Sequence, residues 1–324
     1  MTGILIVIGL IALLLSGIPI FAALLLTGSA VLFFFEGSIE SVADTVFAHL
    51  NSPVLLTIPL FILMAQLMIR SGAVDDLFGM ANTLIGHVKG GIGVATILSC
   101  TIFAAISGSS VATAVSIGQT AIPQMKRYGF PERSALGLVA AGGTLGILIP
   151  PSGPMILYAV VANASIGALF LAGIIPGLLL ALVFAVFCLI SARGSSEIDR
   201  APFPGWRAVL AAMNKSIWAL LMPPVVMGGI YFGIFTATEA AAVGCLYALL
   251  VGALVYRNLG PRVLTACLKD TVLTSLMVFA IIAGAAVFGN AITIIRLPNQ
   301  VSELIVAMNL TPLVFMLVVM AMIF

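Results

Sequence analysis

The sequence predicts an all-α polytopic membrane protein, and two features of its composition indicate this. The chain of 324 residues is 62% hydrophobic and only 7% charged, whereas soluble domains are about 25% charged. Its charges are also unevenly placed, since no charged residue lies between Lys89 and Lys126 or between Arg133 and Arg193. The net charge of +2 is too small to indicate a nucleic-acid partner, so we expect the lipid bilayer as the surrounding medium and no nucleic acid.

Within these two charge-free runs, small, polar and helix-breaking residues form clusters that a plain membrane helix does not need. The first cluster is SGSS at residues 107–110, and the second comprises GGT at 142–144 and PPSG at 150–153. Breaks at membrane depth leave backbone groups unpaired, which is tolerated only where protein buries them or a polar cavity satisfies them. We therefore predict discontinuities at residues 107–110 and 142–144, with Pro150 and Pro151 ending the first half-helix because they remove two helix donors, and a binding site made of helix ends.

The first 89 residues predict an interrupted apolar helix, then one membrane span, then an interfacial stretch. Residues 4–35 exceed the about 20 residues of a single span and are interrupted by Gly17-Ile18-Pro19, which predicts a broken helix or two short ones. Residues 36–51 predict a polar loop and residues 53–69 an apolar segment. Residues 70–89 predict an amphipathic stretch along the membrane interface, with Asp75 and Asp76 in solvent.

Residues 92–125 predict a re-entrant hairpin with its tip at the serine cluster. Each arm holds about 15 residues, roughly 22 Å of helix, which is short of a ~30 Å hydrocarbon core. Residues 134–163 predict a span broken at its middle, and 166–190 a full span. After a polar linker at 193–215, further apolar segments cover 217–235, 240–256, 271–295 and 310–324, with a polar stretch at 296–303.

The basic loops at residues 126–133, 193–215 and 257–269 are predicted to share one face of the membrane. The connections at 163–167 and 236–239 carry no Lys or Arg. By the positive-inside rule the basic loops, with Lys126, Arg200 and Arg262, are cytoplasmic. The hairpin is therefore expected to enter from the cytoplasm.

These motifs, in this order, resemble the large membrane subunit of tripartite ATP-independent periplasmic (TRAP) transporters. The resemblance is carried by FAAISGSS at 103–110, GGTLGILIPPSG at 142–153 and TEAAA at 238–242, and it covers nearly the whole chain. It implies an inverted-repeat, elevator-type secondary transporter like those of the ion transporter superfamily, with re-entrant helical hairpins and broken helices. The implied activity is sodium-coupled import of a small organic acid such as a dicarboxylate.

The resemblance also implies partners, location and domains. A small membrane subunit and a periplasmic substrate-binding protein would complete the system, in the inner membrane of a bacterial or archaeal cell. Residues 1–89 would form a scaffold with interfacial arm helices, 90–192 the first transport-domain unit, 193–216 a cytoplasmic linker, and 217–324 a second scaffold repeat with the start of a second hairpin. Residues 278–306 look like a loose repeat of 60–85. Since the family's second hairpin and broken helix would follow Phe324, we expect the second repeat to be incomplete and the chain to be a fragment or truncated product.

Sodium is expected to bind at both clusters, because a hard cation takes oxygen ligands and exposed helix-end carbonyls supply them. The predicted sodium-binding residues are Ser107, Gly108, Ser109, Ser110, Gly142, Gly143, Thr144 and Ile147. The predicted substrate-binding residues are Ser110, Pro150, Pro151, Ser152 and Gly153, since the N–H groups at the start of a half-helix suit a carboxylate. Na⁺ is the only metal expected, and no cofactor. The alternatives are a small-residue packing face for the serines and a simple kink for the prolines.

An intramembrane serine hydrolase is the alternative from another class, with Ser109 or Ser110 as nucleophile. It needs a base within hydrogen-bond reach, and His49 and His87 are lone histidines in predicted polar loops. We therefore expect no enzyme. A passive channel is disfavoured by the paired discontinuous helices.

Glu239 is the only carboxylate between Lys215 and Arg257. It is either a functional intramembrane acid or an interfacial, helix-capping residue. Cysteines at 100, 188, 245 and 267 show no metal-site spacing and are predicted to be small core residues.

Overall fold

A computed structural model describes residues 2–193, 199, 202–307 and 311–323, and the regular structure of these residues is helical. The helices are α1 (Thr2–Leu15), α2 (Ile20–Glu36), α3 (Glu40–Leu50), α4 (Thr57–Ser71), α5 (Ala73–Ile85), α6 (Gly91–Ser107), α7 (Ser110–Arg127), α8 (Glu132–Leu148), α9 (Gly153–Ala162), α10 (Ile166–Arg193), α11 (Trp206–Tyr231), α12 (Ala237–Leu250), α13 (Pro261–Ile294), α14 (Leu297–Ala307) and α15 (Pro312–Ile323). A 3₁₀ turn at Pro53–Leu56 precedes α4, and a π-helical turn at Val251–Val255 extends α12.

Six helical segments of the described chain are long and apolar enough to cross a membrane. They are Pro53–Ser71, Glu132–Ala162, Ile166–Arg193, Trp206–Tyr231, Ala237–Val255 and Pro261–Ile294. The prediction of an all-α polytopic membrane protein is therefore confirmed. The predicted helical hairpin is present as α6 and α7, and the 17 residues of α6 span only about 25 Å at the helical rise.

The break near the start of the chain lies where the sequence predicted it. Gly17, with a φ of 84°, and Pro19, which precedes the first turn of α2, separate α1 from α2. Left-handed backbone favours glycine, and proline lacks the N–H that a continuous helix needs. Two short helices therefore replace one overlong span.

The predicted polar loop at residues 36–51 is wrong, because residues 40–50 form α3. Val42 and Val46, one helical turn apart, pack with the buried cluster of Val31, Leu32, Val287 and Ala291. The polar stretch at 296–303 lies largely in α14, which begins at Leu297. The linker predicted at 193–216 is helical from Trp206 onward, and its residues 194–198, 200 and 201, including Arg200, lie outside the described residues.

The chain forms two compact units, residues 1–52 with 276–324 and residues 53–275. In the first unit, Gly28 of α2 lies against the backbone of α13, where an added Cβ would stand 2.9 Å from the Phe288 nitrogen. Asn290 also donates to Thr45 Oγ1 at 3.1 Å. The four-part scaffold and transport division made from the sequence is a functional one and stays a prediction.

In the second unit, α6 packs against α4, α5, α7, α8 and α10. Its core side chains include Ile97, Cys100 and Phe103, which are fully or almost fully buried. Cys188 and Cys267 are also buried, and Cys245 is half-buried, which confirms the prediction that the cysteines are mainly small core residues. Because α6 is enclosed on several sides, its contacts position both α7, the other arm of the hairpin, and α8.

The amphipathic segment at 70–89 is helical as α5, and its apolar face packs against α6 and α11. The Lys215 ammonium lies 2.6 Å from Asp76 Oδ1, and the Asp76 side chain is only 10% exposed. The prediction that Asp76 is in solvent is therefore wrong, because a cation on α11 partners it. Asp75 is exposed and accepts a hydrogen bond from Thr120 Oγ1 of α7 at 2.7 Å.

Candidate functional site at the hairpin tip and the α8–α9 break

A tight turn at Gly108 and Ser109 joins α6 to α7 and forms the hairpin tip. Gly108 ends α6 with a φ of 59°, and its N–H donates to the Ala104 carbonyl at 2.9 Å; this left-handed cap suits glycine. Ser109 is extended and caps α7, its hydroxyl accepting from the Ala112 N–H at 3.3 Å. The predicted discontinuity in the first cluster is thus present.

Three oxygen atoms gather behind the tip. Ser107 Oγ lies 2.9 Å from Thr113 Oγ1, and the Thr113 hydroxyl donates to the Ser109 carbonyl at 2.8 Å. Thr113 is buried and was not among the residues predicted from the sequence. Its spacing of four residues from Ser109, which places both on one face of α7, was the available signal.

The second discontinuity lies at residues 149–152, between α8 and α9. Ile149 is extended after the last turn of α8, and Ser152 precedes α9 in the N-cap position. The fully buried Ser152 hydroxyl donates to the Ile147 carbonyl at 2.7 Å, so it satisfies one of the carbonyls left unpaired at the end of α8. The helix ends at the double proline because proline cannot continue the hydrogen-bond ladder.

The predicted break at residues 142–144 is wrong, because α8 runs through them without interruption. The glycines there permit close packing instead. An added Cβ at Gly143 would lie 2.7 Å from the Ala114 Cβ of α7, and one at Gly142 would lie 2.8 Å from the Cys100 sulfur of α6. These two positions therefore serve two different neighbours.

The hairpin tip lies directly against the α8–α9 break. The Gly153 N–H donates to the Gly108 carbonyl at 3.4 Å, and a Cβ at Gly108 would overlap the Pro151 carbonyl oxygen. In the last turn of α8, a Cβ at Gly146 would lie 2.5 Å from the Ser109 carbonyl oxygen. Gly146 is the second residue of the site that was not predicted from the sequence.

Not every predicted residue points into this contact. Thr144 is exposed, and its hydroxyl donates to the Ala141 carbonyl of its own helix at 2.6 Å. The Ile147 side chain is 45% exposed, so only its carbonyl takes part, through Ser152. Gly142 faces α6 and not the tip. By contrast, the Ser110 carbonyl lies within 3.1 Å of the Cβ position at Gly143.

The segments that form the site bring no formal charge to it, because residues 90–125 and 134–192 carry no charged side chain. α6 and α8 end here, and α7 and α9 begin here, so the carbonyls of two last turns and the N–H groups of two first turns, which lack partners within their own helices, meet at the site. Helix C-termini attract cations and N-termini attract anions. The arrangement can therefore accept a small cation through oxygen atoms and an anion through N–H groups, without ionised ligands.

Among the described residues, none that forms a hydrogen bond with the hydroxyl of Ser107 or Ser109 is a base that could activate a serine nucleophile. The Ser109 hydroxyl is occupied by the Ala112 N–H, and Ser107 bonds Thr113. His49 is exposed on α3 and bonds the Thr45 carbonyl. His87 lies half-buried, with its ring 4.9 Å from that of Phe203.

Glu239 caps a helix. The Thr236 N–H and hydroxyl each donate to Glu239 Oε2 at 2.8 Å, while the Glu239 N–H donates back to Thr236 Oγ1 at 3.3 Å. This reciprocal capping box supports the helix-capping alternative. Thr238, which precedes Glu239, forms a hydrogen bond with the buried Thr57 of α4; their hydroxyl oxygens lie 2.8 Å apart.

Comparison with known proteins connects this geometry to a family. Residues 7–324 match the model of the family described as tripartite ATP-independent periplasmic transporter, DctM component. The chain is 39% identical over 289 residues to the C4-dicarboxylate TRAP transporter large permease protein DctM of Pseudomonas aeruginosa, covering 89% of this chain and 67% of that one.

Two further relatives are named for other substrates. The ectoine TRAP transporter large permease protein TeaC of Halomonas elongata is 37% identical over 300 residues, which are 91% of this chain and 69% of that protein. The sialic acid TRAP transporter large permease protein SiaM of Vibrio cholerae is 35% identical over 314 residues, which are 96% and 73% of the two chains. The similarity therefore extends over nearly all of this chain.

Proposed function

Because the chain belongs to the DctM component family of tripartite ATP-independent periplasmic transporters, we propose that it is the sodium-coupled permease subunit for a small organic acid. The resemblance found in its motifs is confirmed, and such permeases are transport proteins and not enzymes. We further propose that it works in the inner membrane of a bacterial or archaeal cell. Its proposed partners are a small membrane subunit and a periplasmic substrate-binding protein.

The contact between the hairpin tip and the α8–α9 break is the observation that carries the proposal. The tip itself brings the hydroxyls of Ser107 and Thr113 and the carbonyl of Ser109 within hydrogen-bond distance of one another, and the contact places the Ser109 carbonyl against Gly146 of α8. Oxygen atoms without formal charge suit a monovalent hard cation, and broken transporter helices coordinate Na⁺ in this way. Na⁺ at this place would hold the tip against α8.

The proposed substrate position is the start of α9. Gly153 is exposed at the first turn of that helix, next to Ser152. Its own N–H bonds the Gly108 carbonyl, and the positive end of the helix dipole there favours a carboxylate. Two of the relatives compared above are named for acids, C4-dicarboxylates and sialic acid. These features support an organic acid as the substrate class.

An inverted-repeat, elevator-type architecture is part of the same proposal. α4 and α5 are joined through Gly72, with a φ of 92°, and α13 and α14 are joined near Arg296, with a φ of 54°. Both pairs are thus an apolar helix, a left-handed residue and a short helix. This recurrence supports the relation between residues 60–85 and 278–306 predicted from the sequence.

Uptake by the assembled transporter in proteoliposomes tests the proposal. Radiolabelled succinate uptake is expected to require an inward Na⁺ gradient and the binding protein. Uptake that is unchanged when K⁺ replaces Na⁺ would contradict sodium coupling. Full uptake without the binding protein would contradict the proposed partner. If no organic acid were transported but substrates of another class were, the proposed substrate class would be wrong.

A further inference from the structure

A groove of about 450 Å³ runs between α8 and α10, on the surface of the unit formed by residues 53–275. Gly137 and Ala141 line one wall, and Val183 and Phe187 line the other. The Phe187 side chain is 63% exposed, although its helix is one of the candidate spans. An open apolar groove on a membrane-spanning helix pair faces acyl chains unless another protein covers it.

The groove has a polar mouth at one end only. Ser134 and Ser191 line that end, where α8 begins at Glu132 and α10 ends at Arg193. Arg133 and Arg193 are exposed beside these serines. The salt bridges of the described residues involve neither arginine, and the nearby Glu132 carboxylate is paired with Lys126 at 3.1 Å. Two cations therefore flank the mouth.

The dimensions of the groove match one leaflet of a bilayer. From Val183 to Arg193 the helix rises about 15 Å, which is half of a ~30 Å hydrocarbon core. With the hydroxyls and guanidinium groups at headgroup depth, the apolar walls would extend to the middle of the bilayer. A larger groove between α1 and α2 lacks this arrangement, since its lining is apolar except for Thr27.

We propose that the α8–α10 groove binds an anionic phospholipid of the leaflet at the basic end of the protein. The phosphate lies between Arg133 and Arg193, with Ser134 and Ser191 as hydrogen-bond partners, and one acyl chain follows the groove past Gly137. Basic pockets between membrane helices recognise anionic headgroups in this manner. The site is separate from the hairpin tip and does not depend on sodium coupling.

Native mass spectrometry of the full chain in detergent tests the proposal, with dioleoyl phosphatidylglycerol or dioleoyl phosphatidylcholine added. The wild type is expected to bind the anionic lipid more tightly. Arg133→Gln and Arg193→Gln should each lower that affinity roughly fivefold, the effect of one juxtamembrane cation, with no change for phosphatidylcholine. Arg133→Lys should keep the preference. Arg207→Gln, an exposed arginine of α11, is the matched control and should have no effect.

A second pair of variants tests the apolar part. An added Cβ meets no atom within 4 Å at either Gly137 or Gly79, and both glycines are exposed, so a side chain can start at either position without a clash. Gly137→Leu fills the groove and should reduce binding of both lipids several-fold, whereas Gly79→Leu on α5 should not. Equal affinity of the wild type for the two lipids would overturn the proposal, as would equal losses in Arg133→Gln and Arg207→Gln. Crosslinking of Gly137→Cys to another polypeptide in native membranes would assign the groove to a protein helix and overturn it too.

Discussion

Replacing Gly146 by alanine should weaken the proposed sodium binding, and so raise the Na⁺ concentration that uptake requires, by displacing the hairpin tip. A Cβ at this position would lie 2.5 Å from the Ser109 carbonyl oxygen, 2.6 Å from its carbonyl carbon and 2.8 Å from the Ser110 nitrogen. All three are backbone atoms, so no side-chain rotation relieves the contact. Either α8 or the tip must move by several tenths of an ångström.

The free-energy cost of crowding the tip in Gly146→Ala can be separated from the change in helix propensity by a matched control. Gly137 lies on the same helix and has no atom within 4 Å of an added Cβ, so Gly137→Ala should stabilise the protein by about 0.5–1 kcal/mol through the helix preference alone. Gly146→Ala gains the same term but adds overpacking of about 1–3 kcal/mol. The difference between the two variants is therefore the overpacking cost.

Thermal unfolding and sodium titration of succinate uptake measure the two consequences. If the overpacking cost falls on the sodium-bound state, the Na⁺ concentration for half-maximal uptake should rise about 5–150-fold in Gly146→Ala, the range that corresponds to 1–3 kcal/mol. Gly137→Ala should leave it unchanged. Equal unfolding temperatures and equal sodium dependence in the two variants would refute the reasoning, and the tip would then not be part of the ion site.

Three further changes test other contacts. Thr113→Val should lower stability by about 1 kcal/mol and raise the Na⁺ concentration needed for uptake, because it removes the hydroxyl that joins Ser107 to the Ser109 carbonyl. The control is Thr101→Val, since the Thr101 hydroxyl bonds only its own helix. Equal effects of the two changes would contradict a role for the tip. Thr57→Val should cost about 1 kcal/mol in thermal unfolding by leaving the Thr238 hydroxyl unpaired, and an unchanged unfolding temperature would disprove this. Lys215→Met should lower the unfolding temperature at low KCl, since Asp76 is only 10% exposed. That loss should shrink in 1 M KCl, where the screening length is about 3 Å; a loss independent of salt would show that the ion pair is not its cause.

The discontinuities that depend on local chemistry could be predicted from the sequence. Gly17 and Pro19 break the first apolar run, and Gly108 turns the hairpin, because left-handed backbone and a missing N–H act within a few residues of their cause. The double proline at 150–151 likewise ends α8. In each case the chain itself contains the reason for the break.

Features set by tertiary contacts could not be predicted. Residues 36–51 carry three acidic residues and suggested a loop, but Val42 and Val46 gain a buried neighbour in Val287. Asp76 looked like a solvated acid until Lys215, far along the sequence, was seen beside it. Packing against a distant segment overrides local composition in both cases.

The glycines of α8 show the same limit within the candidate site. A glycine pair can break a helix or bring two helices together, and the sequence does not distinguish these outcomes. Gly143 serves close packing because Ala114 lies opposite it, and Gly146 does so because the Ser109 backbone lies opposite it. Since these partners lie 29 and 37 residues earlier in the chain, no local pattern could have selected Gly146 or discarded Thr144.

The four helix ends at the site suggest why the proposed ion and the proposed substrate would bind together. α6 and α8 direct carbonyls to the contact, while α7 and α9 direct N–H groups to it, and no charged side chain of residues 90–125 or 134–192 compensates either set. A lone Na⁺ at the carbonyl ends is close to two positive helix starts, and a lone carboxylate at the helix starts is close to two negative helix ends. When both are bound, each ion offsets the unfavourable field on the other, so each raises the affinity for the other by the same factor. The Gly153 N–H to Gly108 carbonyl bond, at 3.4 Å, joins one end of each sign, and it is the contact through which we infer that this coupling acts.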